Sequence, residues 1–155
     1  MKKVLISIKP EMVAKILNGE KHIELRKTYP KNNIPCDVYI YCTKNGGKLI
    51  KENGKYKIVK KSENSLNGKI VAKFKLDAVI IEDFNNKEQK HYNIELKTTS
   101  VLSQLSEEDV LKYANGKKLY CWSIRDLEIF SKKLTLYSFS FEKAPQSWCY
   151  IKETA

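Results

Sequence analysis

Short runs of alternating apolar and polar residues, each closed by turn-forming residues, dominate this chain of 155 residues. The clearest run is Asp37 to Thr43, in which Val38, Ile40 and Cys42 alternate with the residues between them. Alternation with period two predicts a strand with one face towards a core. Further strands are predicted at Val4 to Ile8, Lys21 to Lys27, Lys69 to Ile81, Tyr120 to Ile124, Leu134 to Phe141 and Trp148 to Ile151. Many short strands with few helices favour an α+β fold built on a small barrel.

Two short helices are predicted between these strands. Pro10 suits the first position of a helix because its missing N–H has no partner there in any case, and Asn18-Gly19 is a left-handed stop. The first helix is therefore predicted over residues 10–18. Ser106 is the N-cap candidate of the second helix, and Gly116 ends it. The polar segment from Glu82 to Lys90 is predicted to be a loop.

The length and composition describe one globular domain over residues 1–155. With 42% hydrophobic and 30% charged residues, the chain can bury a core without the help of metals or disulfides. Its longest apolar runs, such as Ala78 to Ile81, are far too short to span a membrane. The run Val4 to Ile6 is cut off by Lys9-Pro10, so no signal-peptide core is present. We therefore expect a cytoplasmic protein with no membrane contact.

The cysteines and histidines give no sign of a metal site. The four cysteines form no CxxC pair, and the two histidines, His22 and His91, lie far apart in the sequence. Cys42 and Cys121 lie in strand-like apolar runs, where a free thiol behaves as a small hydrophobe. The cysteines are Cys36, Cys42, Cys121 and Cys149. We expect no metal, no disulfide framework and no cofactor.

The net charge of +11 is concentrated in the first half of the chain. Residues 1–43 carry a net charge of +4, residues 44–75 carry +8 and residues 76–155 carry −1. One basic face, rather than a uniform solubilising charge, indicates an anionic partner such as a nucleic acid. The alternative is a lysine-rich surface loop that is simply well solvated.

The most basic segment contains a predicted hairpin. Asn53-Gly54 fits the two-residue turn that joins Lys48–Lys51 to Lys55–Lys60. The lysines around this turn are candidates for an electrostatic rim beside a binding site. They are Lys44, Lys48, Lys51, Lys55 and Lys57.

The segment Gly19 to Arg26 holds the densest group of candidate site residues. It places Lys21, Glu24 and Arg26 within six residues, and Arg26 is one of only two arginines in the chain. On a strand, Glu24 and Arg26 project from the face opposite Ile23 and Leu25, and the bend after the helix can turn Lys21 towards them. An arginine beside a glutamate indicates a fork-shaped donor rather than a generic charge. The alternative is a structural ion-pair cluster without a ligand.

These residues belong to a pattern that resembles the ASCH domain family of the PUA-like superfamily. Gly19-x-Lys21-x-x-Glu24-x-Arg26 matches the family's G-x-K-x-x-E-x-R motif at every defined position. Four further segments resemble the family in the same order, and they are Ser7 to Pro10, Val38 to Tyr41, Gly68 to Ala72 and Ala144 to Tyr150. The pattern looks most like ASCH proteins of Gram-positive bacteria and their phages.

The resemblance implies a fold and a site. The implied fold is a small PUA-like β-barrel of five to six mainly antiparallel strands, with two or more short helices and a lysine-rich hairpin inserted at about residues 44–67. The implied site is a cleft over the motif that binds RNA or a nucleotide. Lys21, Glu24 and Arg26 would line this cleft, and the weaker candidates for its lining are Ser7, Lys9, Tyr41 and Ser147.

Some relatives in this family are enzymes, so the enzymatic status of this chain is open. One branch deacylates modified cytidines with a lysine, a threonine and a glutamate, and others are described as ribonucleases. Lys21 matches the lysine of that branch, but Glu24 occupies the threonine position and cannot supply a hydroxyl nucleophile. Lys21 and Glu24 remain candidates for general acid–base work on RNA or a modified nucleoside. A protein-interaction module of phage or host regulation is a further alternative.

Several aromatic residues have two possible roles. Tyr39 and Tyr41 either stack on unpaired bases or pack in the core. Trp148 either walls the cleft or is buried near the C-terminus. Tyr137, Phe139 and Phe141 alternate and are predicted to belong to the core.

Overall fold

A computed structural model describes residues 1–153 of the chain. Three α-helices are present in this part: α1 (Pro10–Leu17), α2 (Tyr92–Ser103) and α3 (Glu107–Ala114). The strands are β1 (Lys3–Ile8), β2 (Ile23–Arg26), β3 (Cys36–Cys42), β4 (Lys48–Glu52), β5 (Lys55–Val59), β6 (Ile70–Leu76), β7 (Val79–Glu82), β8 (Leu119–Ser123), β9 (Arg125–Leu134) and β10 (Trp148–Tyr150). The predicted α+β class is confirmed.

The strands form three sheets. The largest has the order β10-β1-β3-β6-β9, with β1 parallel to β3 and the other neighbours antiparallel. A second sheet has the antiparallel order β2-β8-β7, and β4 pairs with β5 alone. Within residues 1–153 these three sheets are separate and none closes on itself, so the predicted barrel of five to six strands is not observed.

The largest sheet is buried on both faces. Val4, Ile6 and Val38 pack with α1 and with Trp122 in one apolar cluster. On the opposite side, Leu5 packs with Tyr39 in a second cluster that includes aromatic residues after β9. Alternate residues of β1 and β3 therefore pack in different clusters, because successive side chains of a strand point to opposite faces of the sheet. This double burial explains why both strands are almost continuously apolar.

A third apolar cluster joins the β2-β8-β7 sheet to the helices. Ile23 and Leu25 of β2 pack with Leu96 of α2, Val110 of α3 and Phe84. The prediction that Ile23 and Leu25 face a core is therefore confirmed. Because the same strand carries Glu24 and Arg26 on its other side, this packing fixes the direction in which the motif points.

The ends of the two predicted helices follow from their capping residues. Pro10 occupies the first turn of α1, and Gly19 has a φ of 77° directly after the helix. At the start of α3, the Ser106 hydroxyl accepts a hydrogen bond from the backbone N–H of Asp109 at 3.1 Å. These predictions are confirmed, and α1 ends one residue earlier than predicted.

The structure corrects four other predictions. The strand predicted from Lys69 to Ile81 is broken at Asp77-Ala78 into β6 and β7, which belong to different sheets. Helix α2 was not predicted, although its buried residues recur at helical spacing. Strand β9 was not predicted either, because its mostly exposed residues show no apolar alternation. The segment Leu136–Phe139 is a 3₁₀-helix rather than a strand, because Thr135 and Ser138 form a capping box at its start; Ser140 ends it in a left-handed conformation.

The hairpin of β4 and β5 turns at Asn53-Gly54, and both residues have positive φ. Opposed residues of an antiparallel pair share a face, so Lys51 and Tyr56 lie on the same side of the hairpin. The Asn18 side chain at the end of α1 accepts from the Tyr56 N–H at 2.9 Å and donates to its carbonyl at 2.8 Å. These two bonds fasten the hairpin to the end of the helix.

Neither a long apolar helix nor a disulfide is found in residues 1–153. No helix of this part is both long enough and apolar enough to cross a bilayer. The four cysteines are free thiols, and Cys36, Cys42 and Cys121 are buried. Burial raises the pKa of Cys42 and of Cys121 to about 12, so both thiols behave as core residues.

We predict that Phe74→Ala lowers the stability of the protein strongly, whereas Tyr137→Ala leaves it almost unchanged. Phe74 is fully buried in β6, and its truncation should lower the free energy of unfolding by about 3–5 kcal/mol. Tyr137 was predicted to be core but is 87% exposed, so its truncation should change that free energy by less than about 0.5 kcal/mol. Urea unfolding followed by circular dichroism measures both values. Similar losses in the two variants would contradict this assignment of the core.

Candidate functional site

A cleft of about 900 Å³ opens beside the Gly19–Arg26 segment. Its walls come from the end of β1, the start of α1, strand β2, the loop after β3, helix α3 and the segment before β10. The lining residues are Ser7, Ile8, Lys9, Glu11, Met12, Glu24, Leu25, Arg26, Thr43, Asn45, Gly46, Leu105, Asp109, Lys112, Tyr113, Gln146 and Ser147. Distant parts of the sequence therefore meet around the motif.

Glu24 lies in the wall of this cleft and is only 5% exposed. Its Oε1 forms a salt bridge with Arg26 Nη1 at 3.1 Å and accepts a hydrogen bond from the backbone N–H of Leu25 at 3.2 Å. Its Oε2 is also buried, yet no group in residues 1–153 donates a hydrogen bond to it. The carboxylate therefore has one anchored oxygen and one oxygen with an unused acceptor capacity.

Lys21 lies beneath Glu24 and does not line the cleft. Its side chain is fully buried, and Nζ donates to the carbonyl of Ser103 at 2.5 Å and lies 3.7 Å from Glu24 Oε1. The carbonyl of Ser103 is at the C-terminal end of α2, where a cation is favourable. Burial lowers the pKa of Lys21; the Glu24 carboxylate opposes this shift, and the charge of Arg26 adds to it.

Arg26 joins the motif to β1. Nη1 donates to the carbonyl of Leu25 at 2.8 Å and lies 3.1 Å from Glu24 Oε1 in a salt bridge, and Nη2 donates to the carbonyl of Ser7 at 2.7 Å. Two N–H groups of the guanidinium are thus engaged by backbone carbonyls, and Nη1 also pairs with the Glu24 carboxylate. Arg26 therefore fixes the position of Glu24 and ties β2 to the end of β1.

Three of the four weaker sequence candidates line the cleft. Ser7 donates its hydroxyl to the carbonyl of Pro145 at 2.7 Å, and its N–H donates to the carbonyl of Ser147 at 2.9 Å. These bonds hold the segment before β10 against β1, which brings Ser147 into the wall. Lys9 precedes α1, is exposed and also lines the cleft.

The tyrosines of β3 lie elsewhere. Tyr41 is 3% exposed and packs in the same apolar cluster as Tyr39, away from the cleft lining. Tyr39 packs edge-on against Phe139 with ring centroids 4.9 Å apart. Neither ring is available to stack on a base, so the core alternative holds for both. Trp148 packs on Trp122 at 5.6 Å and donates to the Thr28 hydroxyl, so it does not wall the cleft.

The five lysines predicted as a basic rim do not line the cleft. Lys48, Lys55 and Lys57 lie on the outer face of the hairpin, whereas Lys51 lies on the face that carries Tyr56. Lys57 is engaged by Glu52 at 2.9 Å. Lys44 is exposed in the loop after β3, where its stem lies over Gly68.

Sequence reasoning missed the contribution of α3 to the cleft. Asp109, Lys112 and Tyr113 line it and share one face of the helix, opposite the buried Val110 and Ala114. Helical spacing could have identified this polar face, but nothing in the sequence placed it next to the motif.

Tyr113 is the aromatic surface of the cleft. It is 37% exposed, and Lys27 Nζ lies 5.0 Å from the centroid of its ring. Burial raises the pKa of the Tyr113 hydroxyl; the charge of Arg26 opposes this shift, and that of Glu24 adds to it. A neutral phenol at the wall of the cleft can present both a ring face and a hydroxyl to a ligand.

The charges that line the cleft are balanced. Glu11, Glu24 and Asp109 are matched in number by three cations, which are Lys9, Arg26 and Lys112. Among the described residues, no group of three or more histidine, cysteine or acidic side chains is arranged to hold a metal ion. The cleft therefore offers a fixed acceptor, cations and an aromatic ring, which suits a polar heterocyclic ligand.

Solved structures of ASCH proteins share this fold. One structure of ASCH from Zymomonas mobilis gives a TM-score of 0.68 at 20% identity, and the match covers 98% of this chain and 89% of that chain. A mutant of that protein gives 0.69 at 18% identity with the same coverage, and another gives 0.67 at 19% identity, covering 99% of this chain and 92% of that chain. No family model and no curated protein matches the sequence. The chain therefore has the fold of these ASCH proteins, as the resemblance implied.

We predict that Lys21 is essential to stability. Lys21→Ala leaves the Ser103 carbonyl and the Glu24 carboxylate without their buried cation and should lower the free energy of unfolding by about 3–5 kcal/mol. The control Lys118→Ala removes an exposed lysine and should change it by less than about 0.5 kcal/mol. Urea denaturation of both variants tests this, and a loss below 1 kcal/mol at Lys21, well under that of a broken buried pair, would contradict it.

We also predict an alkaline dependence of stability that belongs to Lys21. Its pKa is lowered in the folded state, so the unfolded chain binds more protons between that lowered pKa and the ordinary value of 10.5. The stability of the native protein relative to Lys21→Met should therefore rise as the pH increases towards 10.5. Thermal unfolding of both proteins across this range measures the difference, in which the titration of other groups cancels. A difference that falls with pH would show that the pKa of Lys21 is raised instead.

Proposed function

We propose that this chain is an ASCH-domain protein that binds RNA or a nucleotide in the cleft, with Glu24 accepting a hydrogen bond from an N–H group of a base. The observation that carries the proposal is the buried Oε2 of Glu24, to which no described group donates. Leaving a buried acceptor without a partner costs about 1–3 kcal/mol, and more for a charged group. A ligand that donates at this point recovers that free energy.

The chemistry of the cleft favours a base edge at Glu24 rather than a phosphate. A carboxylate accepts hydrogen bonds and repels an anion, whereas the amino groups of cytosine, adenine and guanine donate them. Arg26 donates to the carbonyls of Ser7 and Leu25 and pairs with Glu24, so we assign it the role of orienting Glu24.

Phosphate groups and the ring of the base find other partners in the cleft. Lys9 and Lys112 line it and are exposed, so they are the cations available to a phosphate. Tyr113 offers a ring face for a base, and such stacking contributes about 1–3 kcal/mol. We therefore assign the base to the side of Glu24 and Tyr113, and the phosphate to the side of Lys9 or Lys112.

A hydrolase that acts on RNA or a modified nucleoside is the second candidate function. The Oε2 atom of Glu24, to which no described group donates, favours it, because a fixed carboxylate next to a ligand can act as a general base. Lys21 does not line the cleft, so in this candidate it supports Glu24 and does not contact the substrate. Product analysis after incubation with RNA and nucleosides, with Glu24→Gln as the control, distinguishes turnover from binding.

A protein-interaction role, and the relation to proteins of Gram-positive bacteria and phages, stay predictions.

We predict that Glu24→Gln weakens the binding of nucleotides whose base carries an amino group. The amide of glutamine removes the charge of the acceptor, and a hydrogen bond to a charged group contributes about 1.5–3 kcal/mol, which corresponds to a loss of affinity of about tenfold or more. Titration calorimetry with CMP, AMP and GMP measures this loss, and 3-methyluridine monophosphate, whose base has no N–H donor, should be affected least.

The matched control is Glu107→Gln, which removes the same charge from the exposed start of α3 outside the cleft lining. It should leave nucleotide affinity unchanged. Equal losses in both variants would show that the effect is general electrostatics. Absence of nucleotide and RNA binding in the native protein would overturn the proposed function.

A further inference from the structure

A second groove, separate from the cleft, lies between the β4-β5 hairpin and strand β9. Its volume is about 420 Å³, and it shares no lining residue with the cleft. We call it the hairpin groove and define it by Lys51, Tyr56, Ile129, Phe130, Ser131 and Lys133. The hairpin supplies Lys51 and Tyr56, and β9 supplies the other four residues.

The charge of this groove is entirely positive. Lys51 and Lys133 line it, and none of its described lining residues is acidic. Burial lowers the pKa of Lys133, and the charge of Lys51 lowers it further, so the two ammonium groups are close enough to repel each other. The cleft, in contrast, has equal numbers of acids and bases in its wall. An anion between Lys51 and Lys133 would relieve their repulsion.

The acidic residues near this groove are paired with other lysines. Glu52, next to Lys51 in β4, contacts Lys57 at 2.9 Å. Glu128, next to Ile129 in β9, contacts Lys73 at 3.6 Å. Within residues 1–153, neither Lys51 nor Lys133 has a carboxylate within salt-bridge distance, which leaves both available to an external anion.

Local contacts hold the two lysines in place. Lys51 Nζ lies 5.5 Å from the centroid of the Tyr56 ring; Tyr56 is buried, and Asn18 holds its backbone. Lys133 Nζ donates to the carbonyl of Phe130, which leaves its other protons free. Both ammonium groups are therefore positioned before a ligand arrives.

The groove also has an apolar part that suits an unpaired nucleotide. Ile129 is 37% exposed, and Phe130 and Leu66 are half-buried in the lining. A free phosphate would not need this surface, and a duplex would keep its bases away from it. A single strand can place its phosphates on the lysines and its sugars or bases on Ile129 and Phe130.

We propose that the hairpin groove binds the phosphate backbone of single-stranded nucleic acid, as a second site independent of the cleft. Lys51 and Lys133 contact phosphates, and Ser131 donates its hydroxyl beside them. The surrounding segment, residues 44–75, has ten basic and two acidic residues and extends the positive field along the strand. In this proposal the cleft selects a base, and the groove supplies sequence-independent affinity.

The test compares two pairs of substitutions in the full chain. Lys51→Gln/Lys133→Gln removes both groove cations, whereas Lys55→Gln/Lys60→Gln removes two exposed lysines outside the groove lining. Affinity for a short oligouridylate is measured by fluorescence anisotropy at several salt concentrations. Loss of two phosphate contacts should reduce the slope of log K against log salt by about 1.4. The control pair should reduce the slope by less than half of that.

Each outcome decides the proposal. A selective loss in the groove variant, with an unchanged CMP affinity of the cleft, supports it. Equal losses of oligouridylate affinity in both variants, or no loss in either, would overturn it. The affinity would then come from the positive charge of the surface as a whole. Equal groove-dependent binding of poly-glutamate would assign the groove to acidic peptides and also overturn it. If the double variant does not fold, Lys51→Gln alone is used, because Lys51 is exposed and its removal leaves the core intact. Failure of CMP, AMP and GMP to bind the native protein would count against the proposed cleft without affecting the salt-dependence test of the groove.

Discussion

The buried charge cluster of Lys21, Glu24 and Arg26 connects helix α2 and strands β2 and β1. Lys21 binds the carbonyl that ends α2, and Arg26 binds the carbonyl of Ser7 at the end of β1. The single carboxylate of Glu24 pairs with both cations. Burying three charges is costly, and the cost is offset only while each has its partners. The α2 helix, β2 and β1 are therefore positioned relative to each other by one set of polar contacts, and the cleft is the space that these elements leave.

The uneven charge of the chain is divided between two surfaces with different chemistry. The cleft has a balanced wall, in which Glu24 and Asp109 would oppose an indiscriminate approach of phosphates. The lysines of the β4-β5 hairpin do not line the cleft, and Lys51 lines a groove that has no acidic lining residue. A single basic site would bind any polyanion, whereas in the proposed arrangement a balanced cleft would supply selection and a separate basic groove would supply affinity.

The sequence predicted the parts of the fold whose local signals agree with their environment. Alternation in β3, Pro10 before α1 and the Ser106 cap each reflect contacts within a few residues. Strand β9 could not be predicted in this way, because it is an edge strand whose side chains are mostly exposed and polar. The placement of Tyr113 also could not be predicted. Its proximity to Glu24 depends on the packing of α3 against β2, a long-range contact without a local signature.

A structural ion-pair cluster and a ligand site were alternatives for the motif as long as only the sequence was considered. The geometry makes them compatible, because the two oxygens of Glu24 have different surroundings. Oε1 is held by Arg26 and by the backbone of Leu25, whereas Oε2 has no donor among the described residues. A carboxylate that is fixed by one oxygen loses little further freedom when its other oxygen binds a ligand, so its hydrogen bond is preorganised. In this arrangement the ion pairs that stabilise the fold also position the acceptor, and a threonine at this position could not do both.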